Sequence, residues 1–191
     1  MSDRARAFSS NIVLIGFMGT GKSVVGKALS RKLNIPYRDS DMEVERIAQM
    51  SIREMFERHG EAAFRENETR YLNSLVKSTI GRNPEEPGQP FVLSTGGGTP
   101  ILDQNRSLIN QIGVVICLST TPEIIHRRVS RHLEQRPLLA AYRSDPLSRI
   151  KTLLKERMPI YSSCADFVVE TMAFDQPYQV ADHIIKLLSR Q

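Results

Sequence analysis

GFMGTGKS, Gly16 to Ser23, fits the pattern G-x-x-x-x-G-K-[ST] of a phosphate-binding loop. The residues before it, NIVLIGF (Asn11 to Phe17), are a short apolar run rich in β-branched side chains, the pattern of a buried strand. The residues after it place Val24, Val25, Ala28, Leu29 and Leu33 at helical spacing. Strand, glycine loop and helix in this order are the context in which such a loop works. Its N–H groups can turn inward around phosphate oxygens, and the positive end of the helix dipole faces the same point. Lys22 is placed to reach the β and γ phosphates, and Ser23 to put its hydroxyl on Mg2+. What becomes of the phosphate must be read elsewhere.

Beyond Leu33, strand and helix patterns keep alternating. IPYRDSD reads as a second short strand ending in acidic residues. Met42 to Tyr71 is helical in pattern, broken near Gly60, and the helix restarts and runs to about Ile80. FVLST (Phe91 to Thr95), GVVICLST and DFVVET read as further strands. Helices are predicted at about Asp103 to Gln111, Pro122 to Leu133 and Pro146 to Arg157, the last ending before Pro159. A final amphipathic helix carries Val180, Ile184, Leu187 and Leu188 on one face. This alternation predicts an α/β fold, a parallel sheet with helices on both faces. Residues 1–10 read as a loose tail and 11–191 as a single domain.

In open parallel sheets, ligands gather at the carboxyl ends of the strands. Three polar motifs fall at such ends: the loop, DSD after the second strand and GGG after the third. In DSD, Asp39 and Asp41 would point to one side of an extended backbone. One could hold a metal water and the other a hydroxyl that attacks phosphorus. Asp41 would serve equally as a helix N-cap. In FRENE (Phe64 to Glu68), Arg65 and Glu68 share one helical face. They fit either a surface ion pair or a guanidinium fork held ready for a carboxylate. TGGGTP (Thr95 to Pro100) places three glycines together, which suits backbone lying against a ligand.

The 26 basic residues against 21 acidic give a net charge of +5. The basic residues are spread out, clustering only around Arg127, Arg128 and Arg131, so a pocket for an anionic small molecule is favoured over nucleic acid. Cys117 and Cys164 lie in or beside apolar runs, with no metal-type spacing and no disulfide framework. The first ten residues hold no apolar core of a secretory signal, and no run reaches the ~20 apolar residues of a membrane span. A cytoplasmic location is expected.

Taken together, GFMGTGKS, DSD, FRENE, TGGGTP, RPLL and RMPIY resemble shikimate kinase, in that order and from about residue 12 to about residue 188. Only the first motif is generic. The resemblance implies a three-layer P-loop kinase fold with a five-stranded parallel sheet in the order 2-3-1-4-5, substrate-binding helices over about 42–80 and a mobile lid over about 132–143. It implies transfer of the γ-phosphoryl of ATP to the 3-hydroxyl of shikimate, with Mg2+ as cofactor. Asp41 would hold the reacting hydroxyl, and Asp39 would bind Mg2+ through water beside Ser23. Arg65 and Arg157 would grip the shikimate carboxylate, with Glu68 fixing Arg65. Arg157 is otherwise a cation at a helix C-terminus. Gly97 would donate its N–H to the substrate, and Phe56 and Phe64 would line the ring pocket. Gly19, Thr20, Gly21, Lys22, Ser23 and Val24 would hold the nucleotide phosphates. Arg136 would swing onto them from the lid, with Lys22 and Asp41 completing the catalytic set. Arg127 and Arg128 both fit the arginine that stacks on adenine, Arg128 being favoured, and TMAFDQP resembles the loop beside that base. A monomer is expected, acting on small molecules with no nucleic acid or membrane partner.

Two features depart from common patterns. The loop Gly81 to Pro90 is longer than expected, and the usual acidic residue after the third strand is replaced by LST, a feature of this family. The rival functions are a kinase for another small metabolite, such as gluconate or a nucleotide, and an ATP-binding module without turnover.

Overall fold

The computed structural model describes residues 10–80, 89–130 and 145–190. The predicted lid, with Arg136, residues 1–9 of the predicted tail, and most of the loop after Ile80 lie outside the described residues.

The sheet has five strands, all parallel, in the order β2-β3-β1-β4-β5, as the resemblance implies. β1 (Asn11–Ile15) is central and buried throughout. β3 (Val92–Ser94) and β4 (Gly113–Ser119) flank it, while β2 (Tyr37–Asp39) and β5 (Phe167–Glu170) form the edges. Successive side chains of β1 serve opposite faces. Val13 and Ile15 enter one core cluster, and Ile12 and Leu14 the other. This double burial is why the strand reads as an unbroken apolar run.

Seven helices are seen among the described residues. α1 (Lys22–Leu33) and α7 (Pro177–Leu188) pack together on the Ile12/Leu14 face through Val25, Leu29, Val180 and Ile184. α2 (Ser40–Ala48), α3 (Ile52–Ile80), α4 (Asp103–Ile112), α5 (Pro122–Val129) and α6 (Pro146–Cys164) contribute to the cluster on the other face. α3 is interrupted at Gly60, whose φ of 78° and ψ of 172° no helix contains. Glycine makes that break inexpensive.

Two local expectations are corrected. The helix predicted to stop before Pro159 runs on to Cys164 with the proline inside it. A proline there removes one helical hydrogen bond, a cost of about 3 kcal/mol in an unsupported helix. Complete burial of Tyr161 and near-complete burial of Cys164 beyond the proline offset it. In DSD, the backbone is not extended through Asp41. β2 ends at Asp39, Asp39 is the N-cap, and Asp41 already lies in the first turn of α2. The cap is thus Asp39, whose Oδ1 accepts the Asp41 N–H at 3.2 Å.

Candidate active site

A cleft of about 510 Å³ opens at the carboxyl ends of β1, β2 and β3. One wall is the loop between β1 and α1. Gly16 begins it with φ 131°, and a Cβ there would meet the Leu118 carbonyl oxygen at 2.3 Å, so no other residue fits. Lys22 is buried, and its Nζ donates to the carbonyls of Gly16 at 2.8 Å and Phe17 at 2.9 Å. Gly19, Gly21, Ser23 and the half-exposed Val24 all border the cleft. Thr20 borders it too, with its hydroxyl bonded to Phe17 O at 2.8 Å. Thr171, after β5, reaches back to the Thr20 carbonyl at 3.3 Å and ties the loop to the far strand.

Of the two candidate arginines on α5, Arg128 reaches the loop, donating to Gly19 O at 3.0 Å. It lines the cleft with Phe174, Asp175, Gln176 and Pro177, the segment predicted to lie beside adenine.

Ser23 and Asp39 come together across the cleft floor, Ser23 Oγ donating to Asp39 Oδ2 at 3.2 Å. The same oxygen accepts the Tyr37 hydroxyl at 2.9 Å. Burial, followed by the Asp39 charge, pushes that phenol up to about 12, so it remains a donor at any ordinary pH. Asp41 lies deeper. Its Oδ1 is buried without a hydrogen-bond partner among the described residues. Burial first, then the charges of Asp39 and Glu68, push its carboxyl up to about 6, against the pull of Lys22 and Arg65. Asp41 therefore stands in the fields of both the loop lysine and the arginine of α3.

That arginine is held from several sides. Glu68, fully buried on α3, accepts from Arg65 Nη1 at 2.8 Å, and Thr99 donates its hydroxyl to the other Glu68 oxygen. This is an anchored pair, not the surface one the spacing also allowed. Glu61 takes Arg65 Nε at 3.1 Å and Nη2 at 2.9 Å. Burial alone would lower the Arg65 guanidinium, but Glu68 and Glu61 outweigh it and raise it. The triple glycine fits these side chains closely. A Cβ on Gly96 would lie 2.6 Å from Asp41 Oδ1, and one on Gly98 would lie 2.5 Å from Arg65 Nη2. Gly97 instead backs onto the phosphate loop at Met18 N.

Arg157 sits well inside α6, so its charge is not explained by a helix end. It lies 5.7 Å from the Phe17 ring, and its charge, like that of Arg65, acts on Tyr161. Tyr161 donates its hydroxyl to Gly97 O at 2.6 Å, joining α6 to the triple glycine. Phe56 and Phe64 form a tilted pair with ring centres 5.4 Å apart. Arg65, Arg157, Phe56 and Phe64 are not among the residues that line the cleft itself. Arg65 adjoins it through Glu68, which meets Gly96 and Asp41 at the cleft wall.

Sequence reasoning missed Tyr37, Glu61 and Thr99 and gave no role to Tyr161. The position of Glu61 four residues before Arg65 was a usable signal; Thr99 and Tyr161 act across the fold.

The family model for shikimate kinase matches residues 18–189. The chain belongs to the shikimate kinase family. It is 39% identical over 185 residues to the shikimate kinase of Ruegeria pomeroyi, covering 97% of this chain and 88% of that protein. It is 38% identical over 180 residues to the shikimate kinase of Thermodesulfovibrio yellowstonii, covering 94% and 95%. Among solved structures, the shikimate kinase from Acinetobacter baumannii in complex with shikimate superposes with a TM-score of 0.82 at 35% identity, covering 96% of each chain.

Proposed function

We propose that the protein transfers the γ-phosphoryl of ATP to the 3-hydroxyl of shikimate, giving shikimate 3-phosphate and ADP in the biosynthesis of aromatic amino acids. The observation that supports this reading most is the place of Asp41, which lines the cleft with Lys22 and meets, across Gly96, the buried Glu68 that holds Arg65.

Phosphoryl transfer passes through a loose transition state, so positioning and charge stabilisation dominate. The loop N–H groups and Lys22 hold the β and γ phosphates, and Arg128 meets the adenine. Arg136, outside the described residues, would stabilise charge on the phosphates. Arg65 and Arg157 grip the shikimate carboxylate, Gly97 donates its N–H, and Phe56 and Phe64 bound the ring. Asp41 accepts a hydrogen bond from the attacking hydroxyl. It orients first and takes the proton second, because a loose transition state needs little activation of the nucleophile.

Ser23 and Asp39 suit Mg2+, a hard ion that takes few protein ligands and keeps its waters and phosphate oxygens. No cluster of three or more acidic, His or Cys ligands exists among the described residues, and an ion bound with the nucleotide needs none. When bound, Mg2+ neutralises charge on the phosphates. Asp39 would hold it through water.

The reading is of a monomer acting on small molecules, without nucleic acid. No helix among the described residues is long and apolar enough to cross a membrane. ADP production at fixed Mg2+ and ATP, with and without shikimate, tests the reading. Release that depends on shikimate is expected. Release unchanged by shikimate, or greater with gluconate, overturns it.

A further inference from the structure

A guanidinium pairs with a carboxylate either across its Nη1–Nη2 end, whose Nη1 on Arg65 is already held by Glu68, or through the two parallel N–H groups of its Nε–Nη2 edge. On Arg65 that edge is held by Glu61, through bonds of 3.1 and 2.9 Å to one carboxylate oxygen. The other carboxylate, Glu68, bonds only Nη1.

The two glutamates differ in kind. Glu68 is fully buried and pinned by Thr99. Glu61 keeps about half of its side chain in water, at 52% exposure. It follows Gly60, the break in α3, and so stands at the first turn of the helix that restarts there. A carboxylate at such a position is stabilised by the helix dipole and by solvent without any arginine. Leaving Arg65 therefore costs Glu61 little. Nor does Arg65 need Glu61 to keep its place. Glu68 fixes Nη1, the Phe64 ring lies 5.1 Å from Cζ, and Gly98 closes against the guanidinium.

We infer that Glu61 is a displaceable counter-charge, an internal carboxylate that occupies the Arg65 edge required by the carboxylate of the substrate. Substrate binding exchanges one carboxylate for the other, and Glu61 swings to the helix end and water. Competition and charge act in the same direction, so both make Glu61 weaken the binding of an anionic acceptor. Glu61 thus sets the affinity for shikimate through Arg65 without touching the phosphoryl group. This inference rests on the proposal that Arg65 binds the shikimate carboxylate.

Steady-state kinetics of Glu61→Gln in the full chain test it, with Glu66→Gln as a charge control. Glu66 is one residue from Arg65 but pairs with Arg70. The expected result is a shikimate KM lowered about two- to fivefold in Glu61→Gln, the scale of a partly exposed ion pair. The ATP KM and kcat should stay near those of the parent, and Glu66→Gln should leave the shikimate KM where it was. In an Arg65→Ala background, Glu61→Gln should have no effect. An unchanged or raised shikimate KM in Glu61→Gln overturns the inference, the raised value marking Glu61 as a support for Arg65. An equal fall in Glu66→Gln also overturns it, because charge alone would then suffice. If Arg65→Ala itself leaves the shikimate KM unchanged, the fault lies in the carboxylate assignment of Arg65.

Discussion

Gly98 and Arg65 leave no room between them for a methyl group, since a Cβ on Gly98 would lie 2.5 Å from Nη2 and 2.7 Å from Nη1. The Gly98 backbone, at φ −94° and ψ −12°, is one that alanine also adopts. Gly98→Ala therefore strains no dihedral; it pushes the guanidinium. We expect the shikimate KM to rise about tenfold, the cost of a small misplacement of a binding group, while the ATP KM stays within about twofold. Equal increases in both would assign Gly98 to the general architecture of the cleft.

Arg65→Ala should raise the shikimate KM far more than the ATP KM. The buried Glu68 then loses its cation, so a fall of about 3 kcal/mol in stability is also expected. Restoring charge with Arg65→Lys should recover stability better than affinity, since lysine cannot present a fork. Kinetics and urea unfolding of both variants separate the two losses.

Asp41→Asn should keep ATP binding and lower turnover at least ~100-fold. It should also make the protein more stable in the absence of Mg2+ and ATP. A carboxyl raised from its ordinary 3.8 to about 6 binds its proton more tightly in the folded chain. Its ionisation therefore removes stability as pH climbs through that window, and the loss is complete above it. Asparagine avoids it, a gain of about 2 kcal/mol or a rise of several degrees in Tm at pH 8. The parent should narrow this gap at pH 4. A lower Tm for Asp41→Asn at pH 8 would mean that the carboxylate stabilises the fold.

Tyr37→Phe leaves Asp39 Oδ2 with Ser23 as its remaining side-chain donor among the described residues and loosens the carboxylate on the cap bond of its other oxygen. The Mg2+ concentration for half-maximal rate should rise about three- to tenfold, with the shikimate KM little changed. Mn2+ binding followed by electron paramagnetic resonance gives a second readout that is independent of turnover. No change in either would confine Tyr37 to packing against Gly26 of α1, where a Cβ would lie 2.7 Å from its ring.

The layered fold was legible because β1 and its glycine loop carry local patterns: an apolar run, then a fixed spacing of Gly, Lys and Ser. Pro159 misled because a local rule meets a tertiary one, the burial of Tyr161 and Cys164 beyond it. The roles of the two aspartates were blurred by the assumption of extended backbone; the helix begins one residue before Asp41. Thr99 and Tyr161 were hidden for a different reason. Their partners, Glu68 and Gly97, are 31 and 64 residues away, beyond the reach of any periodicity. Tyr37 looked like an ordinary strand aromatic, and only the turn of Asp39 shows what its hydroxyl meets.

The side chains read as gripping the acceptor, on α2, α3 and α6, ride on helices covering one face of the sheet, whereas α1 and α7 cover the other. A change of acceptor could thus be grafted by exchanging helices on a single side, leaving the strand that launches the glycine loop and its rear packing intact. Divergence toward new alcohols is cheap in such a design, because the helix that opens at the glycine loop is buttressed from the opposite face; of the described donor-side residues, Arg128 alone rides on a helix of the acceptor face.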